Sequence, residues 1–275
     1  MKKKMISVAL AAILAFSTVA LSGCGSSSSS SDVEDIKKNG KLVVGITDFA
    51  PMDYKEEGSD DWVGFDADLA RKVGEDLGVD VEFKEIDWDN KLLELKNKSI
   101  DVVWNGMTQT DEVKTSMECT KSYCGNAQTV VLPKDKAEEY KDVDSLKDLT
   151  LAVEAGSAGE AAAKDNGLNY TAMQSQADTL MEVQAGTSDG AIIDLLMAGA
   201  MIGEGTSYPD LTHTLELTTE QYVVGCRKGS DLASYINDEF DKFNKDGSLM
   251  ELASKYGVQD AVITDSTSEA SSTNS

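Results

Sequence analysis

Two stretches of the chain repeat the same apolar and acidic pattern 88 residues apart, and this repeat most constrains the fold. Residues 92–101 read Leu-Leu-Glu-Leu-Lys-Asn-Lys-Ser-Ile-Asp, and residues 180–189 read Leu-Met-Glu-Val-Gln-Ala-Gly-Thr-Ser-Asp. Both are typical of a helix that leads into a strand. The repeat favours two related lobes, although a helix-to-strand junction alone produces part of such a similarity by chance.

Short apolar strands alternate with amphipathic helices around this repeat. Residues 41–46 predict a buried strand, and apolar residues at four-residue spacing over 65–77 predict a helix that Gly78 ends. Such alternation predicts a parallel sheet with helices on both faces. The other predicted strands are 79–86, 100–104, 149–153, 170–173 and 191–194, and the other predicted helices are 90–97, 157–165 and 177–185.

Two extended segments, 126–132 and 221–227, connect these cycles, and two final helices are predicted at 231–244 and 248–256. The two crossings predict a two-stranded hinge. The predicted fold class is therefore α/β, with two Rossmann-like lobes joined by that hinge and a ligand cleft between them. Small ligands are expected where the carboxyl ends of strands converge, and hinge closure around a ligand is a known movement of this architecture.

The first residues predict an export signal that ends at a lipidated cysteine. Three lysines at 2–4 precede an apolar run over 5–21, and Leu21-Ser22-Gly23-Cys24 comes before six serines at 26–31. The run is too short for a stable membrane span, so it is typical of a cleaved signal peptide. The mature chain then begins at Cys24, which carries acyl chains such as palmitate and anchors the protein to the membrane. An ordinary secretory signal with a coincidental cysteine is the alternative.

The chain is predicted to divide into five parts. They are a signal peptide at 1–23, a Ser-rich tether at 24–34, a first lobe at 35–130 plus 223–258, a second lobe at 131–222, and a disordered tail at 259–275. The tail is rich in Ser, Thr, Asp and Glu, a composition that buries too little apolar surface to fold.

The acidic composition argues against nucleic-acid binding. Without the three leader lysines the chain has 22 Lys and Arg against 49 Asp and Glu, a net charge of about −27. Phosphate recognition needs a basic surface instead. The only arginines are Arg71 and Arg227.

Cysteine and histidine usage argues against a metal site and against most catalytic schemes. Outside Cys24 the cysteines are Cys119, Cys124 and Cys226, without zinc-ligand spacing, and the single histidine, His213, lies in a polar stretch that predicts a surface position. A lone histidine leaves nucleophilic triads without their usual base. We therefore expect no metal, no cofactor and no catalysis. One disulfide and three free thiols are both open.

Several motifs follow one another in a fixed order. They read Val-Gly-Phe-Asp-Ala-Asp-Leu at 63–69, Ile-Asp-Trp-Asp at 86–89, Ile-Asp-Val-Val-Trp-Asn-Gly-Met-Thr-Gln-Thr-Asp-Glu at 100–112, Gly-Ser at 156–157 and Asp-Gly-Ala-Ile-Ile-Asp at 189–194. This set resembles the polar amino acid-binding proteins of ATP-driven importers, which have the two-lobed type II periplasmic-binding fold. The resemblance implies a monomeric lipoprotein outside the cell membrane or in the periplasm. Such a protein delivers an amino acid or a related small amine to a permease and its ATPase.

The resemblance also implies a ligand site of ten residues between the lobes. They are Asp48, Phe49, Trp88, Gly106, Met107, Thr108, Glu154, Ser157, Ala158 and Asp194. Phe49 and Trp88 match aromatic residues that pack against the ligand side chain, or else they are core residues. Met107 and Trp104 add an apolar wall or pack beneath the turn. Asp194 matches the acid that pairs with the α-ammonium, although it is also placed to cap a helix.

Polar groups are expected to hold the α-carboxylate and the α-amino group. Gly106 and Thr108 resemble the family's partners of these two groups, and Ser157 and Ala158 at a helix start offer backbone N–H groups to the carboxylate. Thr108 is alternatively a cap for the helix that follows, because Thr-Gln-Thr-Asp-Glu is a good helix start signal.

Further acids bear on the charge of the ligand. Glu154 follows a strand where relatives place a residue that reads the ligand side chain, and Asp48 or Asp53 lies near the first-strand loop. If these acids face the cleft together with Asp194, the site favours a cationic or amine-rich ligand. If they do not, they form the solvated rim of a very acidic protein.

The chain departs from the family at its strongest carboxylate partner. The family usually has an arginine three residues after the second Thr of the turn, where this chain has Val113, followed by Lys114. Lysine lacks the planar two-pronged fork, and adjacent helix positions point about 100° apart. Carboxylate binding then depends on backbone N–H groups and the Thr hydroxyl, or the ligand is not an ordinary α-amino acid.

The residues thus favour a binding protein over two alternatives. A sensing module for a signalling partner would need a separate membrane protein. An enzyme resembling cyclohexadienyl dehydratases would need basic residues to hold a dicarboxylate, whereas this cleft is acidic and poor in arginine.

Overall fold

The computed structural model of the chain describes residues 31–264. The helices in this range are α1 Asp32–Asn39, α2 Phe65–Leu77, α3 Lys91–Lys96, α4 Asp111–Ser116, α5 Ala158–Asp165, α6 Gln176–Ala185, α7 Leu195–Met201, α8 Leu232–Asp246 and α9 Ser248–Lys255. The strands are β1 Lys41–Ile46, β2 Tyr54–Lys55, β3 Trp62–Val63, β4 Asp80–Glu85, β5 Val102–Thr108, β6 Met117–Cys119, β7 Cys124–Asn126, β8 Gln128–Pro133, β9 Thr150–Glu154, β10 Asn169–Met173, β11 Gly190–Asp194, β12 Leu211–Glu216 and β13 Glu220–Arg227. No helix between residues 31 and 264 has the length and apolar character of a membrane span.

The first sheet has the strand order β4-β1-β5-β13-β6, and β7 also pairs with β13. β4, β1 and β5 are parallel, as the alternation of strands and helices predicts. β13 runs antiparallel to β5, so the prediction of a wholly parallel sheet is wrong. The reason is connectivity, because β13 enters this sheet from the second sheet and not through a crossover helix.

The second sheet has the order β10-β9-β11-β8-β12. β10, β9 and β11 are parallel, whereas β8 is antiparallel to β11 and β12 is antiparallel to β8. Each sheet therefore combines three parallel strands with a strand that arrives directly from the other sheet. Because parallel strands share the direction of their carboxyl ends, the residues that follow β9 and β11 lie at one edge of this sheet.

Two strand connections link the sheets. The chain leaves the first sheet at the end of β7, enters the second as β8, and returns from β12 into β13. The connections lie side by side, because Asn126 pairs with Glu220 and the Leu217 N–H donates to the Gln128 carbonyl oxygen at 2.7 Å. The predicted two-stranded hinge between two α/β lobes is thereby confirmed.

The 88-residue repeat has a counterpart in each sheet. The order β4, α3, β5 in the first sheet matches β10, α6, β11 in the second, and β5 begins at Val102 as β11 begins at Gly190. Trp88 directly precedes α3 in a 3₁₀ turn, and Gln176, at the matching position, is the first residue of α6. Corresponding positions of the repeat therefore stand at the same end of both sheets.

Trp104 belongs to the core and not to the cleft. Its side chain is fully buried and packs edge-on against Phe240, with ring centroids 5.6 Å apart. Tyr123 packs against the same ring at 5.5 Å. Of the two interpretations of Trp104, packing beneath the turn is therefore the right one.

Both ends of the described range are more ordered than the sequence predicts. α1 begins at Asp32, and Asp32 and Val33 are buried, so the predicted tether over 24–34 is wrong for its last three residues. These residues fold because Ser31 accepts a hydrogen bond from an N–H in the first turn of α1.

The predicted disorder after Gln259 is wrong for residues 260–264. Val262 is buried and forms a β-bridge with Cys124, which places this short segment beside β7. The remainder of the predicted tail, at 265–275, lies outside the described residues. So do the predicted signal peptide at 1–23 and the predicted lipidation site Cys24.

The three cysteines outside the leader are free thiols. Cys124 and Cys226 are buried and Cys119 is partly buried, and none of them forms a disulfide within residues 31–264. Of the two alternatives that the sequence leaves open, the structure therefore favours three free thiols. His213 is exposed, as predicted.

Candidate functional site

A cavity of about 170 Å³ lies between the two lobes. It is smaller than the roughly 300–1,000 Å³ that is common for drug-sized ligands, so it suits a small solute. Nine of the ten predicted site residues line it. They are Phe49, Trp88, Gly106, Met107, Thr108, Glu154, Ser157, Ala158 and Asp194.

Asp48 is the predicted site residue that does not line this cavity. Its side chain is exposed, whereas those of Thr47 and Phe49 on either side are buried. Successive side chains of an extended segment point to opposite faces, so a buried Phe49 leaves Asp48 outside. Asp53 is fully buried but lies away from the cavity, where its carboxylate accepts a hydrogen bond from Asn105 Nδ2 at 2.7 Å.

Phe49 and Trp88 form the aromatic part of the wall. Phe49 meets Tyr222 edge-on, with ring centroids 6.3 Å apart. Both Phe49 and Trp88 are buried members of the apolar core as well as cavity residues. The two interpretations of these aromatic residues are therefore compatible, since each side chain both packs in the core and lines the cavity.

Thr108 and Gly106 already have partners within the protein. The Thr108 hydroxyl donates to Glu220 Oε1 at 2.9 Å, and the Gly106 N–H donates to Asp66 Oδ2 at 2.7 Å. The Gly106 N–H and the Thr108 hydroxyl proton are therefore already used within the protein, whereas the Thr108 hydroxyl oxygen can still accept a hydrogen bond. The alternative that Thr108 caps the next helix is wrong, because Thr110 caps α4 by accepting the Val113 N–H at 3.2 Å.

Asp194 ends β11 as a buried carboxyl with several donors around it. Gln176 Nε2 donates to Asp194 at 2.6 Å, the Tyr222 hydroxyl donates at 2.5 Å, and Asn126 Nδ2 donates as well. Its side chain makes no capping bond to α7, so the capping alternative is wrong. Burial, followed by the nearby Glu220 carboxylate, raises the pKa of Asp194 to about 8.

Glu154 ends β9 and is a second buried carboxyl in the cavity. It is 2% exposed, and its Oε1 has no hydrogen-bond partner among residues 31–264. Burial, with Asp194 as the next cause, raises the pKa of Glu154 to about 8. A buried polar atom without a partner costs free energy, so this oxygen is positioned to accept a bond from a bound molecule. A solvated acidic rim does not describe Glu154 and Asp194.

The place of the family's arginine holds an apolar side chain. Val113 is buried and lines the cavity, while Lys114 is exposed and pairs with Asp111 at 3.4 Å. The two arginines are engaged elsewhere, Arg71 with Asp68 and Arg227 with two carboxylates near β5. Neither arginine lines the cavity.

Lys91, which the sequence interpretation missed, supplies a cation at the cavity wall. As the first residue of α3, it donates from Nζ to the Gly156 carbonyl oxygen at 2.9 Å and to the Trp88 carbonyl oxygen at 3.2 Å. Its Nζ also lies 4.8 Å from the centroid of the Trp88 ring. Burial lowers the pKa of Lys91. Its position three residues after Trp88, on the same helical face, was the available sequence signal.

The lobes meet closely around the turn before α5. Lys91 reaches across to Gly156, and Gln174 Nε2 donates to Asp87 Oδ1 at 2.9 Å. Gly156 has φ +70°, and a Cβ atom there would lie 2.8 Å from the Cα atom of Asp89. The structure therefore has the lobes closed over the cavity.

Comparison with known proteins identifies the relatives of this chain. The model of the bacterial extracellular solute-binding proteins, family 3, matches residues 42–259. The arginine-binding extracellular protein ArtP of Bacillus subtilis is 30% identical over 267 residues, which cover 92% of this chain and 98% of ArtP.

Solved structures resemble the chain across both lobes. A substrate-binding protein of an ABC uptake transporter from Streptococcus pneumoniae, with bound histidine, superposes with a TM-score of 0.77 at 28% identity, over 86% of this chain and all of that one. The ancestral amino acid-binding protein AncCDT-1, a precursor of cyclohexadienyl dehydratase, has a TM-score of 0.75 at 30% identity, over 82% and 99% of the two chains. The resemblance that the motifs indicate and the two-lobed fold class are both confirmed.

Replacing Gly156 with alanine tests the close approach of the lobes. Alanine at φ +70° is strained by about 1 to 2 kcal/mol, and its Cβ would also collide with Asp89. We expect Gly156→Ala to hold the lobes apart and to increase the radius of gyration measured by small-angle X-ray scattering. Gly167→Ala is the matched control, because Gly167 has φ +64° in the same lobe with no atom within 4 Å of its Cβ position. Equal radii for the two variants would contradict the closed arrangement.

Burial of Glu154 and Asp194 makes the ligand-free protein less stable as the pH rises. Each carboxyl keeps its proton up to about pH 8 in the folded state, whereas the unfolded chain releases it near pH 4. Because the folded state then binds more protons, the free energy of unfolding falls across that interval and levels off above it. We expect urea denaturation to show this fall from about pH 5 to about pH 8.5, with a smaller fall for Glu154→Gln.

The difference between the two proteins isolates Glu154. Burial also raises the pKa of Asp53 and of Asp66, and these groups contribute the same pH dependence to the wild type and to the variant. Identical pH dependence in both proteins would show that Glu154 does not hold a proton in the folded state.

Proposed function

Because this chain belongs to the bacterial extracellular solute-binding proteins of family 3, we propose that it is the substrate-binding component of an ATP-driven importer and that it captures a cationic amino acid. The single observation that carries the choice of ligand is the pair of buried carboxyls, Glu154 and Asp194, in one cavity. Neutral donors surround Asp194, and one oxygen of Glu154 has no partner. A ligand with two cationic groups supplies a partner to each acid.

Electrostatics favour this ligand over a neutral amino acid. A charge-assisted hydrogen bond is stronger than a neutral one, and it gains further inside a closed cavity that excludes water. A ligand ammonium displaces the proton from a carboxyl whose pKa is raised, so binding is coupled to proton release. With a neutral amino acid, one of the two carboxyls would have to stay protonated or remain charged and unpaired.

The predicted site residues then take the following roles. Asp194 pairs with the α-ammonium, and Glu154 pairs with the cation of the ligand side chain, which lies between Phe49 and Trp88. Ala158 is the better of the two candidate N–H donors for the carboxylate. The N–H of the first residue of a helix has no partner within the helix, whereas the Ser157 N–H already donates to the Glu154 carbonyl oxygen at 3.2 Å.

The cellular setting follows from the family and the leader. We infer that Cys24 is lipidated after cleavage of residues 1–23, and that the folded body is held at the outer face of the membrane or in the periplasm. Ligand binding stabilises the closed arrangement of the lobes, and the closed monomer is what the permease recognises. No chemistry is performed on the ligand.

An enzymatic role is the second candidate, favoured by Glu154 and by the dehydratase precursor among the structural neighbours. A carboxyl with a pKa of about 8 has the properties of a general acid or base near neutral pH. The cavity has one lysine, Lys91, where a dicarboxylate substrate would need several basic groups. Conversion of a cyclohexadienyl acid by the purified protein would support this second role, and no conversion would exclude it.

Isothermal titration with L-arginine, L-lysine, L-histidine, L-glutamine and L-cystine tests the proposed function. We expect L-arginine or L-lysine to bind most tightly. Asp194→Asn should weaken that binding roughly 10- to 100-fold, because it removes one charge-assisted bond. Asp48→Asn is the matched control, since Asp48 is an exposed acid outside the cavity, and its affinity should stay within about threefold of the wild type.

Two outcomes would contradict the proposal. Absence of heat for every compound in the panel would argue against amino acid capture. Equal affinities of the Asp194→Asn variant and the wild type would remove Asp194 from the site.

A further inference from the structure

We propose that Lys91 binds the carboxylate of the ligand, in place of the arginine that this chain lacks, and that the cavity therefore selects an α-amino acid over the amine without a carboxylate. This inference rests on the proposed function. The carboxyl pair alone would hold a diamine equally well, so contact between Lys91 and a carboxylate would distinguish these two ligand classes.

The cation for a ligand carboxylate cannot come from α4. Val113 presents an apolar side chain to the cavity, and the ammonium of Lys114 is exposed and paired with Asp111. Arg71 and Arg227 are held by carboxylates away from the cavity. Lys91 is the cationic side chain that lines the cavity among residues 31–264.

The bonds of Lys91 leave capacity for a ligand. An ammonium group has three N–H donors, and two of them are directed at the carbonyl oxygens of Gly156 and Trp88. Both of these acceptors are neutral. The ammonium is thus partly removed from water, and no carboxylate of the described part of the chain is in direct contact with it, an arrangement that a ligand carboxylate would stabilise.

The N-terminus of α5, close to Lys91, also favours a carboxylate at this place. Gly156, whose carbonyl oxygen accepts from Lys91, precedes Ser157, the residue that caps the N-terminus of α5. The free N–H of Ala158 and the positive end of the helix dipole therefore lie on the same side of the cavity as the Lys91 ammonium. Other acids that face Lys91 are Asp89, Glu112 and Glu160, in addition to Glu154.

The charges of Lys91, Glu154 and Asp194 indicate which ligand would give each of them a partner of opposite charge. Lys91 offers one positive charge, and ionised Glu154 and Asp194 offer two buried negative charges, whereas Glu112, the fourth charged residue of the lining, is exposed to solvent. A ligand with one carboxylate and two cationic groups pairs each of the three. A diamine of the same length would bring the same two cationic groups but no carboxylate, so Lys91 would have no anionic partner in the ligand, which is costly in a closed cavity.

Lys91 could instead act only as a contact between the lobes, through its bond to Gly156. The two roles differ in one measurable respect. A lobe contact stabilises the closed form for every ligand alike, whereas a carboxylate partner acts only on ligands that carry the carboxylate.

The experiment compares each amino acid with its decarboxylated amine by isothermal titration of the full chain. The pairs are L-arginine and agmatine, L-lysine and cadaverine, and L-histidine and histamine. We expect the wild type to prefer the amino acid, and Lys91→Met to lower amino acid affinity roughly 10- to 100-fold while amine affinity is unchanged or rises. Lys91→Arg keeps the positive charge and should retain the preference for the amino acid. That result would show that the loss in Lys91→Met comes from the missing charge and not from a folding defect.

Lys96→Met is the matched control, because Lys96 is an exposed lysine at the other end of α3. It should leave both affinities as in the wild type. Equal losses for the amino acid and the amine in Lys91→Met would overturn this inference alone and leave Lys91 as a lobe contact. No change in either affinity would overturn it as well. Absence of binding for all six compounds in the wild type would overturn the proposed function and this inference together.

Discussion

The buried carboxyl of Asp194 is the interaction on which the hinge and the cavity both depend. Its donors come from both hinge strands and from the second lobe, namely Asn126 of β7, Tyr222 of β13 and Gln176 of α6. Three neutral donors offset the loss of hydration, but they supply no positive charge, and the pKa of Asp194 stays raised to about 8. The cation of a ligand would supply the positive charge that Asp194 lacks among its partners in the protein.

The same incompleteness occurs at two other points of the cavity. Among the residues that the structure describes, Glu154 has an oxygen without a partner, and Lys91 contacts carbonyl oxygens but no carboxylate. The two groups lie on different lobes, because Glu154 is the last residue of β9 and Lys91 is the first residue of α3. A ligand that pairs with both would hold the lobes together, so the charge that determines specificity would also drive closure.

Local sequence pattern was sufficient for most of the fold. Apolar spacing and glycine signals locate α2, β1 and β9 within a residue or two, because helix and strand periodicity depend on neighbouring residues. The direction of β13 and the order of residues 260–264 were missed, because they depend on contacts between distant parts of the chain. Val262, for example, is ordered by a bridge to Cys124.

The site was predictable in position but less so in detail. Of the ten site residues that the order of the motifs predicts, nine line one cavity. The motif order misplaced Asp48, whose exposure follows from the alternation of side chains beside buried Phe49, and it could not show that the Gly106 N–H is already bonded to Asp66. Lys91 was missed because a lysine in an amphipathic helix usually faces solvent. Its contact with Gly156 depends on the position of the other lobe, which local sequence does not determine.

Proton release on binding measures whether Glu154 and Asp194 hold protons that the cations of the ligand displace. Titration of L-arginine into the protein at about pH 7, in buffers of different ionisation enthalpy, measures the protons exchanged per ligand bound. We expect net release, and less release in the Glu154→Gln variant, because ligand cations displace the protons that the buried carboxyls hold. Binding without net proton release, or with equal release in both proteins, would contradict the account.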